Sequence, residues 1–172
     1  MLLRPIAVAA AALALASCSV FEKKEPPPCP PIYILGDAGN VTKYREGPGR
    51  DLTDVEVEAE ILGFQGGCVY DENGAEVELE VLMNVKRGPA DTDRVANLDY
   101  FVAIPRYFPA PEAKAVFAVA VQFPEGANYV RFRDEAVTMR VPVKDKDDVN
   151  NYEIYIGFQT TPEELERNRQ GR

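Results

Sequence analysis

Histidine and tryptophan do not occur in this chain, and its only serines are Ser17 and Ser19. Beyond residue 19 there is accordingly no Ser-His-Asp triad, no Cys-His pair and no Ser-Lys dyad. Histidine-ligated zinc, haem and iron sites are excluded with them. Gly36, Gly39, Gly47 and Gly49 match neither G-x-x-x-x-G-K nor G-x-G-x-x-G, so they form no phosphate-cradling loop. Positive charge is scarce: 19 Lys and Arg stand against 28 Asp and Glu, net −9, and the nearest approaches to a basic patch are Lys23-Lys24 and Arg167/Arg169. Such a surface repels nucleic acid and anionic lipid. Lack of tryptophan weakens sugar stacking, although eight tyrosines remain. No cofactor is expected.

What is present begins with an address. Arg4 precedes an apolar run from Pro5 to Ala16 that is too short to span a bilayer, the pattern of a signal-peptide core. The run ends in Leu15-Ala16-Ser17-Cys18, which resembles the lipobox of bacterial lipoproteins. That resemblance implies residues 1–17 as signal peptide, cleavage before Cys18, and lipidation of Cys18 on sulfur and on the new amine. Three acyl chains suffice for stable anchoring, at about 0.8 kcal/mol per buried methylene. The other reading is an ordinary signal peptide with a cysteine by chance. Ser19 stands where lipoproteins kept in the inner membrane commonly carry Asp, so the resemblance favours the outer membrane, facing the periplasm.

Residues 18–31 read as the lipidated cysteine and a proline-rich tether. From Ser19 to Pro28 it reaches at most ~30 Å at ~3.1 Å per residue, which keeps the domain close to the membrane. Cys29 and Cys68 are an even pair in an oxidising compartment, and a structural disulfide is expected. A metal pair or a redox pair is the alternative; two thiols without histidine make a poor metal site, and their spacing is unlike C-x-x-C.

Residues 32–172 carry strand signals at short intervals, the mark of one all-β domain, a β-sandwich with immunoglobulin-like topology as the first expectation. Val55, Val57, Ala59 and Ile61 alternate with Glu56, Glu58 and Glu60, and Val77 to Val85 alternate in the same way. Gly63, Gly66 and Gly67 mark a bulge or bend. Asp71-Glu72-Asn73-Gly74 is the strongest hairpin signal. An Asn73-Gly74 loop there sets Tyr70 opposite Val77 and Cys68 opposite Leu79. Residues 37–53, rich in Gly, Asp and Arg, read as a long loop. Later strands are expected at 100–104, 115–123, 129–133, 136–143 and 152–158. Thr161 and Glu164 have capping-box spacing with Pro162 at the first helical position, which predicts a helix over 162–169. It serves either as a docking handle or as a plug that packs Leu165 onto one end of the sandwich.

Among site candidates, the glutamates at 56, 58, 60, 76, 78 and 80 read as solvated strand faces, although paired carboxylates in a cleft would suit glycoside hydrolysis. Asp145 to Asn151 fails as an EF-hand loop because Val149 takes a ligand position and Asn150 stands where glycine is needed. A calcium site sharing Asp145, Asp147 or Asp148 with Asp91 or Asp93 is the metal candidate; solvated turns account for the same residues.

Cys29-Pro30-Pro31, Gly67-Cys68, the run from Gly157 to Leu165 and Asn168-Arg169 together resemble lipoproteins of alphaproteobacteria. The resemblance implies an envelope location and no particular activity. These features point to a non-catalytic lipoprotein, held to the membrane by its lipid, that serves as an interaction or structural module for an envelope protein partner. A small-ligand or calcium-binding module is the alternative, and a carboxylate-dependent hydrolase of envelope polysaccharide the third.

Overall fold

The structure, a computed structural model, describes residues 27–143, 145 and 148–170. Cys18, with the signal peptide and most of the tether, lies outside them, as does Asp147. Nine strands form among the described residues: β1 (Ile32–Ile34), β2 (Asn40–Tyr44), β3 (Val55–Asp71), β4 (Gly74–Arg87), β5 (Val95–Ala103), β6 (Lys114–Gln122), β7 (Tyr129–Arg133), β8 (Val137–Val141) and β9 (Ile154–Phe158). A helix, α1 (Pro162–Gln170), comes after them.

The longest alternation organises the core. Ala75, Val77, Leu79, Val81, Met83 and Val85 of β4 are fully buried, while Glu76 and Glu78 between them face solvent. Each buried side chain larger than alanine in that row contributes about 1.5–3 kcal/mol relative to exposure. Facing this row from a second layer are Leu98, Tyr100, Val119, Val121, Ile154, Ile156 and Phe158. One sheet runs β1-β9-β5-β6; the other runs β2-β3-β4, with β7 and β8 both on the far side of β4. Only the β1–β9 pair is parallel.

The all-β sandwich is therefore present, but its strand order is not the immunoglobulin one. β2-β3-β4 is a consecutive meander, and β4 is long enough to pair β8 at residues 75–79 and β7 at residues 82–86, end to end. The stretch 37–53 is not all loop, since β2 lies inside it. Among β2's five residues only Val41 is buried, so no alternation announces the strand; pairing to β3 makes it.

The hairpin register differs from expectation. Asp71 pairs with Gly74, so the loop is Glu72-Asn73, with Tyr70 opposite Ala75 and Cys68 opposite Val77. Asp71 Oδ1 accepts from the Asn73 N–H at 2.7 Å and starts the turn one residue early. Gly74 then enters β4 at φ 130°, where a Cβ would lie 2.3 Å from the Val141 carbonyl oxygen. Pairing moves by two positions, so Cys68 and Tyr70 keep their face. The bulge expected at the glycines after Ile61 is present: β3 is continuous through them, with its register shift between Ile61 and Gly63.

The end of the proline-rich segment belongs to the domain. Cys29 and Cys68 are bonded with Cα atoms 5.7 Å apart, Tyr70 donates to the Pro28 carbonyl at 2.7 Å, and Pro30 is buried. At the other terminus α1 forms with both capping-box bonds, Thr161 N–H to Glu164 Oε2 at 2.7 Å and Glu164 N–H to Thr161 Oγ1 at 3.2 Å. Leu165 is only half-buried, and the helix docks through polar contacts. Asn168 Nδ2 donates to the Asp37 and Asn40 carbonyls at 2.9 and 2.8 Å, and Lys43 Nζ pairs with Glu164 at 2.9 Å.

Candidate functional site

The glutamate stripes of β3 and β4 lie on paired strands but are staggered. Glu58 stands opposite Lys86 and Glu60 opposite Asn84, while Glu78 faces Gly67 and Glu80 faces Gln65. Cations sit among them: Lys86 on Glu58 at 2.6 Å, Arg133 on Glu80 at 3.1 Å, and Arg140 bridging Asp71 and Glu76 at 2.6 and 2.9 Å. Asp71 is held below its ordinary value first by the Arg140 guanidinium and then by the Asn73 N–H. Glu58, Glu76, Glu80 and Asp71 are thus paired with cations on this outer face.

The acidic loops are occupied by the fold. Asp91, its side chain 4% exposed, pairs with Arg87 Nε and accepts from the Arg94 N–H at 3.2 Å. Asp93 caps the Val95 N–H at 3.0 Å. Both line a cleft of about 250 Å³ with Lys43, Tyr44, Glu56 and Asn97. Asp145 accepts from the Asp148 N–H at 3.0 Å, and Asp148 accepts from Asn151 Nδ2 at 2.9 Å. Among the described residues no three or more His, Cys, Asp or Glu gather as a metal-binding group. The loop carboxylates thus serve as turn caps and as one buried ion pair.

Two features had no clear signal in the sequence. The first is a cleft of about 540 Å³ where α1 overhangs the outer face of the β1-β9-β5-β6 sheet. Its apolar lining includes Leu35, Ala38, Phe101, Phe158 and Leu165, gathered from distant parts of the chain. Lys114 Nζ stands at this cleft, 4.2 Å from the Phe101 ring centroid and 2.7 Å from Gln159 Oε1. Arg169 is there too, 3.2 Å from Asp37.

The second is the border of the same sheet. β6 is its last strand and hydrogen-bonds only to β5 within it. The ladder is bracketed by Phe123 N–H to Arg94 O at 2.9 Å and Ile104 N–H to Ala113 O at 2.8 Å. Odd-numbered residues of β6 therefore exchange bonds with β5, and even-numbered residues point their backbone groups away from it. The Lys114 N–H turns back to the Pro111 carbonyl, leaving Val116, Ala118, Ala120 and Gln122 as the row without backbone partners among the described residues. From Ala115 to Val121 there is no charge, proline or bulge, and Val116 is 52% exposed. On the inner side Phe117 is half-buried and stacks on Tyr100 with centroids 5.2 Å apart. The Tyr100 hydroxyl donates to Asp134 across the sandwich at 2.7 Å; burial first, then that carboxylate, pushes the phenol far above its ordinary value.

No family model, curated protein or solved structure matches this chain. Among the described residues no helix is long and apolar enough to cross a membrane.

Proposed function

We propose that this chain is a non-catalytic envelope lipoprotein, anchored through Cys18 to the outer membrane and facing the periplasm, that works as an interaction module by offering β6 to a partner strand. The open, uncharged row at Val116, Ala118, Ala120 and Gln122 carries this reading. Bare edges invite pairing, and soluble proteins ordinarily blunt them with charge, proline or a bulge. Added strands gain affinity from main-chain hydrogen bonds and specificity from alternate side chains. A short tether, its last residues pinned by Cys29–Cys68, supports docking near the membrane surface. The test is crosslinking in living cells from a photoreactive residue at 118, with the lipidated protein and mass spectrometry of the adducts. A discrete protein adduct that disappears with Cys18→Ala is expected. Absence of any protein adduct at 116, 118 and 120 would overturn the reading.

The cleft under α1 favours a second reading, a small-ligand module. Apolar walls with the Lys114 ammonium beside them suit a carboxylate carrying an apolar chain. A long-chain fatty acid should then raise Tm, and the rise should vanish with Lys114→Glu. No rise at saturating fatty acid would remove it.

A further inference from the structure

We infer that the strand β6 receives is β6 of a second copy, antiparallel about a two-fold axis through Ala118. This rests on the reading of β6 as a docking edge and names its occupant. Three observations select a second copy. The first is parity: an antiparallel pair about residue 118 sets 116 opposite 120 and 118 opposite itself, all even-numbered, and these are the residues whose backbone groups point outward. Each such pair exchanges two N–H···O bonds.

The second is size. Reading outward from Ala118, Val116 meets the second copy's Ala120, Ala115 meets its Val121, and Phe117 meets its Val119. Two of these three pairs, 116 with 120 and 115 with 121, set valine against alanine, and an alanine lies on the axis, where two identical groups must share space. Phe117 and Ala115, left partly open at this border, gain cover on the inner side.

The third is charge. Two chains of net −9 repel through most faces, but the nine residues of β6 carry one charge, Lys114, and it falls opposite neutral Gln122. The nearest acid on the adjoining strand is Asp99, paired with Ala118 one strand behind the seam. One strand pair makes a small interface, and such contacts are weak between free molecules. Confinement of both copies to one membrane surface raises their effective concentration and makes a weak contact sufficient. The product is a continuous eight-stranded sheet in which β6 is no longer an edge.

The two-fold permits a test specific to this register. Residue 118 is opposite itself, so Ala118→Lys places two ammonium groups across the seam and Ala118→Glu two carboxylates. A mixture of the two variants places one of each. The measurement is energy transfer between donor- and acceptor-labelled copies of the full lipidated chain in vesicles, with Tm as the control for folding. Wild type should show transfer, the Glu variant, with Asp99 opposite residue 118 adding to the repulsion, should lose about five-fold or more of the association, the Lys variant less, and the Lys/Glu mixture should restore it. Full transfer in the Glu variant alone, or no recovery in the mixture, would overturn the inference. If wild type shows no transfer while photocrosslinking from 118 captures a different protein, the second copy is refuted and the docking edge stands. If wild type shows no transfer and 116, 118 and 120 capture nothing, both fall.

Discussion

The borders of the β2-β3-β4 sheet and the β6 border of the opposite sheet receive different treatment. β2 is braced by α1 through Lys43–Glu164 and through Asn168 on the Asn40 carbonyl. The half of β3 that runs past β2 is strapped by Cys29 on Cys68. The far border is broken into two five-residue strands bearing Arg131, Arg133 and Arg140. β6 has none of these devices over 115–121. Edge protection in this molecule is selective, and β6, the strand proposed to receive a partner, is where it is missing.

The strongest way to break the contrast is to remove the strap. Cys68→Ala opens a loop closed over a sequence separation of 39 residues, worth about 4 kcal/mol in the chain-entropy account. Tm should fall by roughly 10 °C for a domain of this size, and reductant should lower wild type by a similar amount. An unchanged Tm would mean that the bond does not stabilise the fold. Next comes Arg87, at the end of β4 where the chain leaves one sheet for the other. Arg87→Met leaves the Asp91 carboxylate buried without its cation and should cost about 3 kcal/mol in urea unfolding. Adding Asp91→Leu should recover much of that loss, because the desolvated charge is then gone as well. A double variant as unstable as the single one would assign Asp91 a further role, such as its bond to the Arg94 N–H.

These two cases also mark how far the sequence was legible. The disulfide, the buried row of β4 and the capping box at Thr161 are local or pairwise patterns, and each is present as read. β2 was illegible because Val41 alone of its five residues is buried, and period two needs at least two positions to show. The hairpin loop was misplaced by one residue because the Asn-Gly preference is statistical. Here the Asp71 side chain and the closeness of Gly74 to Val141 decide the turn. Asp91 and Asp93 were flagged for their charge, but their roles as ion-pair partner and turn cap depend on Arg87 and Val95 coming near. The edge position of β6 was hidden for a different reason: alternation reports which face of a strand is buried and says nothing about whether it has one neighbour or two.

A smaller effect is expected at the braced border. Burial pushes the Glu164 carboxyl up, but the Thr161 N–H, the Lys43 ammonium and the Thr161 hydroxyl outweigh it and hold it below its unfolded value of 4.5. A depressed folded value means that the stabilisation is complete above about pH 4.5 and is lost as pH falls through the folded value. Glu164→Gln should therefore cost about 1 kcal/mol at pH 7, and the gap to wild type should narrow as pH falls below about 4.5. Glu163, lowered first by its bond to Arg50, is present in both chains and cancels, so a gap that does not narrow with acid would show that Glu164 acts through packing instead.

The smallest effect on stability, and the sharpest form of the comparison, is expected at Ala118. Its side chain is exposed and its backbone groups point away from β5, so a lysine placed there meets solvent and the exposed Asp99 carboxylate opposite it on β5 in the single chain. Ala118→Lys should change unfolding free energy by less than about 0.5 kcal/mol when measured on dilute protein. At the other border, removing one acid with Glu164→Gln costs about twice that limit. The two sheets then differ in kind: charge at β2 serves the fold, and the want of charge at β6 serves nothing within a single chain. If Ala118→Lys instead destabilises the dilute chain by about 2 kcal/mol or more, β6 is covered by the chain itself, and the border has no vacancy for a partner to fill.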